Sequence, residues 1–162
     1  MEKEIGKNKI NYIIGDVFES KIEGPIIIAH ICNDIGAWGK GFVLSLSRRW
    51  KLPETKYKIW YKSNKKFKLG EVQFVEVQEN TIVANMISQR GIRKTFTDVP
   101  MQYDALIECL DKVSKIALET GSTVLMPRIG CGLAGGKWEN IYPIIEDTLI
   151  KKGIKVFVFD LE

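Results

Sequence analysis

The sequence predicts one three-layer α/β/α sandwich with a mixed central sheet of about six strands, spanning residues 1–162. Three observations predict it. Short β-branched runs alternate with amphipathic ones, the pattern of strands interleaved with helices. The runs PIIIAH, STVLMP and KVFVFD are almost unbroken in their apolar character, as strands covered on both faces are. Two further runs are separated only by Glu79-Asn80, which reads as a hairpin turn and places one antiparallel pair in an otherwise α/β pattern.

Taken in order, the expected strands are KINYII (9–14), PIIIAH (25–30), EVQFVEV (71–77), TIVANMI (81–87), STVLMP (122–127) and KVFVFD (155–160). Helices fit Gly41–Trp50, Pro53–Tyr61, Pro100–Thr120 and Trp138–Lys152. In the third, Leu106, Cys109, Leu110, Val113, Ile116 and Ala117 recur at three and four and form one apolar stripe. Pro100 suits the first turn of that helix, Gly121 its C-terminal cap, and Gly153 the end of the last helix.

The charge is uneven. Of a net +4, much comes from the stretch Arg48–Lys68, where tryptophans and tyrosines interleave with lysines. That is how a nucleic-acid face can look, but also how a solvated face of snorkelling side chains looks; the same charge can steer a small anionic nucleotide. No apolar stretch reaches the ~18 residues a membrane helix needs, so no membrane partner is expected. Cys32, Cys109 and Cys131 are an odd number without paired spacing, and no secretory signal is visible, so a reducing cytoplasm is the expected location. A monomer is expected.

Two glycine loops carry the chemistry. MPRIGCGLAGGKWE (126–139) follows a strand and precedes a helix. It contains G-x-G-x-x-G, but a dinucleotide fold places that motif after its first strand, and here only one helix and one strand follow. Cys131 followed by Lys137 lacks the guanidinium of a cysteine phosphatase loop, and WGKGF lacks the Ser/Thr of a Walker loop. What remains is general: glycine loops expose backbone N–H groups, and a helix starting near Trp138 would add its positive dipole end, which together suit a phosphate. AHICNDIGAWGKGF (29–42) repeats the design. Two such loops beyond the carboxyl ends of strands could clamp a diphosphate. His30, Cys32 and Cys131 have no metal-ligand spacing, so neither metal nor cofactor is expected.

Asp16 in IGDVF, HICN leading to WGKG, and PRIGCGLAGGKWE together resemble a macrodomain, the ADP-ribose-binding α/β/α module, over about Ile10 to Leu161. The similarity is to small stand-alone members that process ADP-ribose 1''-phosphate or remove ADP-ribose from proteins. The resemblance implies that Asp16, with Val17 beside it, receives the adenine amino group, a role compatible with N-capping a short turn. It implies that Asn33 bonds the distal ribose, unless that side chain simply stabilises its loop. Gly39, Lys40 and Gly41 would pass beside the distal ribose and diphosphate. Ile129, Gly130, Cys131, Gly132, Leu133 and Ala134 would hold the diphosphate, and Phe159 would border the adenine.

Family members that cleave protein-linked ADP-ribose carry a lysine after the fourth strand and an aspartate after GCGL. This chain has Ser88-Gln89-Arg90 and Ala134 there, which weakens a lysine-nucleophile mechanism. The phosphatase-like members place a histidine at the end of the second strand, and the sole histidine, His30, matches. An imidazole titrating near ~6.5 could take a proton from water and return one to the leaving group, with Asp34 orienting it. The expected function is therefore binding of ADP-ribose and hydrolysis of a derivative, ADP-ribose 1''-phosphate first. A non-catalytic reader and a hydrolase for ADP-ribosylated protein or nucleic acid are the alternatives. Loop 88–98, with Arg90, Arg93 and Lys94, is expected to border the distal ribose and set specificity.

Overall fold

The structure is a computed structural model that describes residues 8–161; residues 1–7 and 162 of the expected domain lie outside the described residues. The chain forms strands β1 (Ile10–Ile14), β2 (Ile26–Asn33), β3 (Val72–Gln78), β4 (Thr81–Gln89), β5 (Thr123–Pro127) and β6 (Val156–Asp160). Its helices are α1 (Phe42–Arg49), α2 (Leu52–Ser63), α3 (Tyr103–Thr120) and α4 (Trp138–Thr148), with single 3-10 turns at Val17–Glu19, Gly132–Ala134 and Ile150–Lys152.

The strands lie in the order β1-β6-β5-β2-β4-β3. All neighbours are parallel except β3 and β4, which form the expected hairpin at Glu79-Asn80. Five strands therefore end at the same edge of the sheet, where a ligand site of an open α/β sheet belongs. Alternation along β2 builds the two faces: Ile27 and Ala29 join Leu106 and Leu110 of α3 and Ile141 and Ile145 of α4. Ile28 and Cys32 join Leu46 of α1 and Tyr57 of α2 on the other side. Both helical layers bury their apolar stripes on the sheet, whose central strands β2, β4, β5 and β6 are covered on both faces while the edge strands β1 and β3 are partly exposed.

Three boundaries differ from the sequence reading by three residues or more. β2 runs three residues beyond His30, because its ladder with β4 continues through a register shift to Asn33↔Gln89. Helix α3 begins at Tyr103, not Pro100. Met101 instead bridges Gln89 and the Pro100 carbonyl accepts from Arg90 N–H at 2.8 Å, so tertiary pairing holds that segment extended. The last helix loses α geometry after Thr148, and Gly153, at φ 84°, closes the 3-10 turn that follows. Gly121 caps α3 at φ 67°, as expected.

Candidate functional site

The first glycine loop is organised by Asn33. Its Oδ1 accepts from the N–H groups of Ile35 and Ala37, both at 3.0 Å, and its Nδ2 donates to the Ala37 carbonyl at 2.8 Å. The Tyr57 hydroxyl, reaching from α2, donates to the Asn33 carbonyl at 2.6 Å and lies 2.9 Å from Oδ1. The loop-building role of Asn33 is thus realised, and one N–H of its amide is left over for a ligand. Tyr61 packs flat on the loop, since a Cβ on Gly36 would sit 2.4 Å from its ring. The Trp38 indole donates to Ser47 Oγ at 2.8 Å, and Ser47 in turn donates to Glu54 at 2.9 Å. Lys58, then Lys51 and Ser47, hold the Glu54 carboxyl down at about 2, against the opposing effect of burial. Helix α1 then starts at Gly41, φ 80°, with no side chain capping its first amides.

The second loop is a closely wound backbone. Gly130, Gly132 and Gly135 all have positive φ, at 79°, 63° and 76°. Gly136 N–H donates back to the Gly130 carbonyl at 2.7 Å, and Met101 N–H ties the loop to α3's approach through the Ala134 carbonyl. Between the two loops lies a cavity of about 390 Å³, reached by Asn33, Gly39, Lys40, Gly41 and the Ile129–Cys131 segment, with Leu133 and Ala134. Its cations are Lys40, Arg93 and Arg128, and among the described residues no carboxylate lines it.

The sequence-predicted residues divide. Gly132 is in the loop but not in the lining, and Asp16, Val17, Phe159 and Asp34 lie outside the cavity. Asp16 is exposed at the end of β1 and caps the 3-10 turn, with Phe18 N–H on its Oδ1 at 2.9 Å. Val17 and Phe159 are buried in the α1/α2-side core. Asp34 does not orient His30: its Oδ1 accepts from Gly91 N–H at 2.8 Å and so anchors loop 88–98. The dipole that faces the cavity is also a different one, because Gly41, Phe42 and Val43 at the start of α1 line it, whereas Trp138 at the start of α4 does not.

His30 lies at the floor of the cavity, nearly out of contact with bulk solvent. It is 1% exposed, packed edge-on against Trp38 and beside Phe42, although it still contributes to the cavity lining. Asn85 fixes its tautomer. The Asn85 Nδ2 donates to the Pro53 carbonyl and Gln73 Oε1, so its Oδ1 faces His30 Nε2 at 2.6 Å and must accept the proton there. Nδ1 consequently carries the lone pair, and it has no protein partner among the described residues. Burial lowers the His30 pKa from 6.5 to about 4, outweighing the Asn85 bond that raises it. The imidazole is therefore neutral at pH 7. The folded state binds this proton more weakly than the unfolded state, so the contribution is complete above pH 6.5 and is lost as pH falls toward 4. Over that window stability should drop by roughly 3 kcal/mol from this group alone. Urea melts of wild type and His30→Gln at pH 7 and pH 4.5 check it: the wild type should lose more stability between the two pH values than the variant, and equal losses would contradict it.

Sequence reading missed Tyr57, Trp38 and the Arg128 assembly. Arg128 grips Asp160 with two bonds, Nε to Oδ1 at 2.7 Å and Nη2 to Oδ2 at 2.9 Å, and its guanidinium covers the rings of Tyr12 and Trp138. This fixed cation joins the ends of β5 and β6 and forms one wall of the cavity. The burial of Cys131 raises its thiol pKa, with Arg128 opposing, so it is not an activated thiolate.

No family model matches the chain. A macrodomain protein from Streptomyces coelicolor, known as a solved structure, is 44% identical; the alignment covers 94% of this chain and 99% of that one, with a TM-score of 0.85. An ADP-ribose 1''-phosphate phosphatase from Lodderomyces elongisporus is 24% identical over 160 residues, 93% of this chain and 99% of the relative. The ADP-ribose glycohydrolase OARD1 of Homo sapiens is 26% identical over 155 residues, 95% and 93% of the two chains. The chain also spans 18% of the length of the chromodomain-helicase-DNA-binding protein 1-like of Mus musculus, at 25% identity.

Proposed function

This chain belongs to the macrodomain family, and from that premise we propose that it binds ADP-ribose and hydrolyses a derivative of it, ADP-ribose 1''-phosphate foremost, to ADP-ribose and phosphate. The observation that carries the reading is the cavity between two glycine loops, lined by three cations and by no carboxylate among the described residues. Cleaving a glycosidic bond ordinarily calls on carboxyl groups as acid, base or nucleophile. Phosphoryl transfer depends far more on positioning and on neutralising charge, which backbone N–H groups and cations supply. The relative named as an ADP-ribose 1''-phosphate phosphatase points the same way.

In this reading the nucleotide lies along the carboxyl edge of the sheet. Asp16 at the end of β1 takes the adenine amino group. The second loop and the amides at the start of α1 hold the diphosphate. The spare N–H of Asn33 meets the distal ribose. Water attacks the 1''-phosphorus, the bond from phosphorus to the ribose oxygen breaks, and the Nδ1 lone pair of His30 takes the proton from water. An imidazolium buried at that site is more acidic than an exposed one, so it passes the proton on to the departing ribose oxygen. The rate should then be flat from pH 8 to about 5.5 and decline toward pH 4 as His30 protonates, provided initial rates are taken before the protein unfolds. A bell centred near pH 6.5 would count against this role.

The deep burial of His30 favours a second reading, a reader that binds ADP-ribose without cutting its derivatives. Calorimetric titration separates binding from chemistry. ADP-ribose should bind at least about tenfold tighter than ADP, because the distal ribose contributes contacts inside the cavity. Equal affinities would place that ribose elsewhere and undo the assignment of the site.

A further inference from the structure

We infer that Arg93 is the residue that recognises an anionic group on the distal ribose, distinguishing a phosphate ester there from the bare hydroxyl. The inference rests on the nucleotide orientation given above. Loop 88–98 offers three cations, Arg90, Arg93 and Lys94, and only Arg93 lines the cavity. It belongs to the loop that follows β4, and its guanidinium reaches across to the Gly132 carbonyl of the loop that follows β5. A nucleotide with its adenine at β1 and its diphosphate on the Gly130–Gly132 loop therefore brings the group beyond the diphosphate to the cavity wall that Arg93 forms.

The local bonding leaves Arg93 ready for an anion. Its Nε donates to the Thr95 carbonyl at 3.1 Å, Nη1 to the Gly132 carbonyl at 2.9 Å, and Nη2 to the Phe96 carbonyl. The two nearer carbonyls wrap the loop around the guanidinium, and the Gly132 contact carries it across to the diphosphate loop. Three of its five N–H donors are thus engaged, all by neutral carbonyls, and two remain. No carboxylate bonds it among the described residues. The Asp98 carboxylate, the nearest candidate in the loop, is turned to the N–H groups of Lys94 and Thr95 at 2.9 and 3.0 Å. Arg128, by contrast, is already matched by Asp160. A partly buried guanidinium that no carboxylate hydrogen-bonds among the described residues, with Asp98 close enough to be felt but turned to backbone N–H groups and two donors left beside the cavity, fits a dianionic phosphate monoester bound bidentately.

The test compares ADP-ribose with ADP-ribose 1''-phosphate by stopped-flow displacement of a fluorescent ADP-ribose, read before turnover proceeds. Wild type should prefer the phosphate ester by roughly tenfold or more, as expected for charge-assisted bonds. Arg93→Gln keeps a donor for the Gly132 carbonyl but removes the charge, and should bring the ratio close to one. Arg93→Lys, a point charge without the fork, should give an intermediate ratio. The ratio is the readout, so a variant with a loosened loop still reports, and Arg93→Lys serves if Arg93→Gln does not fold. No preference in wild type, or an unchanged preference in Arg93→Gln, overturns the inference while leaving ADP-ribose binding in place. Failure of wild type to bind ADP-ribose at all brings down the functional reading, and this inference with it.

Discussion

Gly136→Ala should abolish nucleotide binding and cost roughly 2–4 kcal/mol of stability. A methyl group there would lie 2.5 Å from the Gly130 carbonyl oxygen, with Met101 and Ile141 at 3.1 and 3.2 Å behind it. The carbonyl is backbone and cannot rotate away as a side chain could. It is also the acceptor of the Gly136 N–H at 2.7 Å, the shortest of the bonds that close the loop, and that bond would have to open to relieve the clash. Opening it displaces the Ile129–Cys131 wall of the cavity. Gly135→Ala should behave similarly, since its Cβ would meet the Asp98 carbonyl at 2.7 Å from a φ of 76°. The control is Gly39→Ala: nothing lies within 4 Å of a Cβ there, so its melting temperature should stay within a few degrees of wild type. A Gly136→Ala protein that melts and binds like wild type would mean the loop is not closed as described.

Asn85→Leu should be the most damaging single change away from the loops, at roughly 3–4 kcal/mol. Asn85 is fully buried at the centre of β4 and joins His30 Nε2, the Pro53 carbonyl and Gln73 Oε1, of which His30 is as deeply buried as Asn85 itself. Leucine fills the volume and leaves the buried His30 Nε2–H without its acceptor, while the Pro53 carbonyl keeps only its helical bond and Gln73 Oε1 loses its inward donor. Pro53 lies in the first turn of α2, the helix that carries Tyr57 to Asn33, so the damage should reach the first glycine loop as weakened ADP-ribose binding. Removing the bond that raises the His30 pKa should also push that pKa below about 4, visible in the imidazole NMR signals as a lower midpoint. Asn85→Asp reverses the sign, because a carboxylate at the same place stabilises the imidazolium and lifts the midpoint.

Much of this was legible in the sequence because it depended on local chemistry. The unbroken apolar runs revealed the doubly covered strands, Glu79-Asn80 the hairpin, and the glycines of 130–136 the tightly wound loop. The illegible part was tertiary. His30 ends the run PIIIAH and so reads as a strand terminus near a ligand, whereas the β2–β4 ladder carries the strand three residues further and sinks the ring beneath Trp38 and Phe42. Pro100 reads as a helix start, and long-range pairing with Arg90 keeps it extended. Tyr57 carries no signal at all: it occupies one helical position among lysines, and only the packing of α2 on the first loop turns its hydroxyl toward Asn33. The charge stretch 48–68 is partly consumed internally, with Lys51 and Lys58 both on Glu54. That leaves less of it for a polymer than the composition suggests.

The most direct measurement of the central claim is phosphorus NMR of ADP-ribose 1''-phosphate incubated with the protein, alongside His30→Gln. Our account predicts that the 1''-phosphate resonance is replaced by that of inorganic phosphate while the diphosphate signals persist, and that the variant retains binding but loses most turnover. Diphosphate signals that shift on binding beside a 1''-phosphate that stays intact indefinitely would contradict it and leave the protein a reader of ADP-ribose.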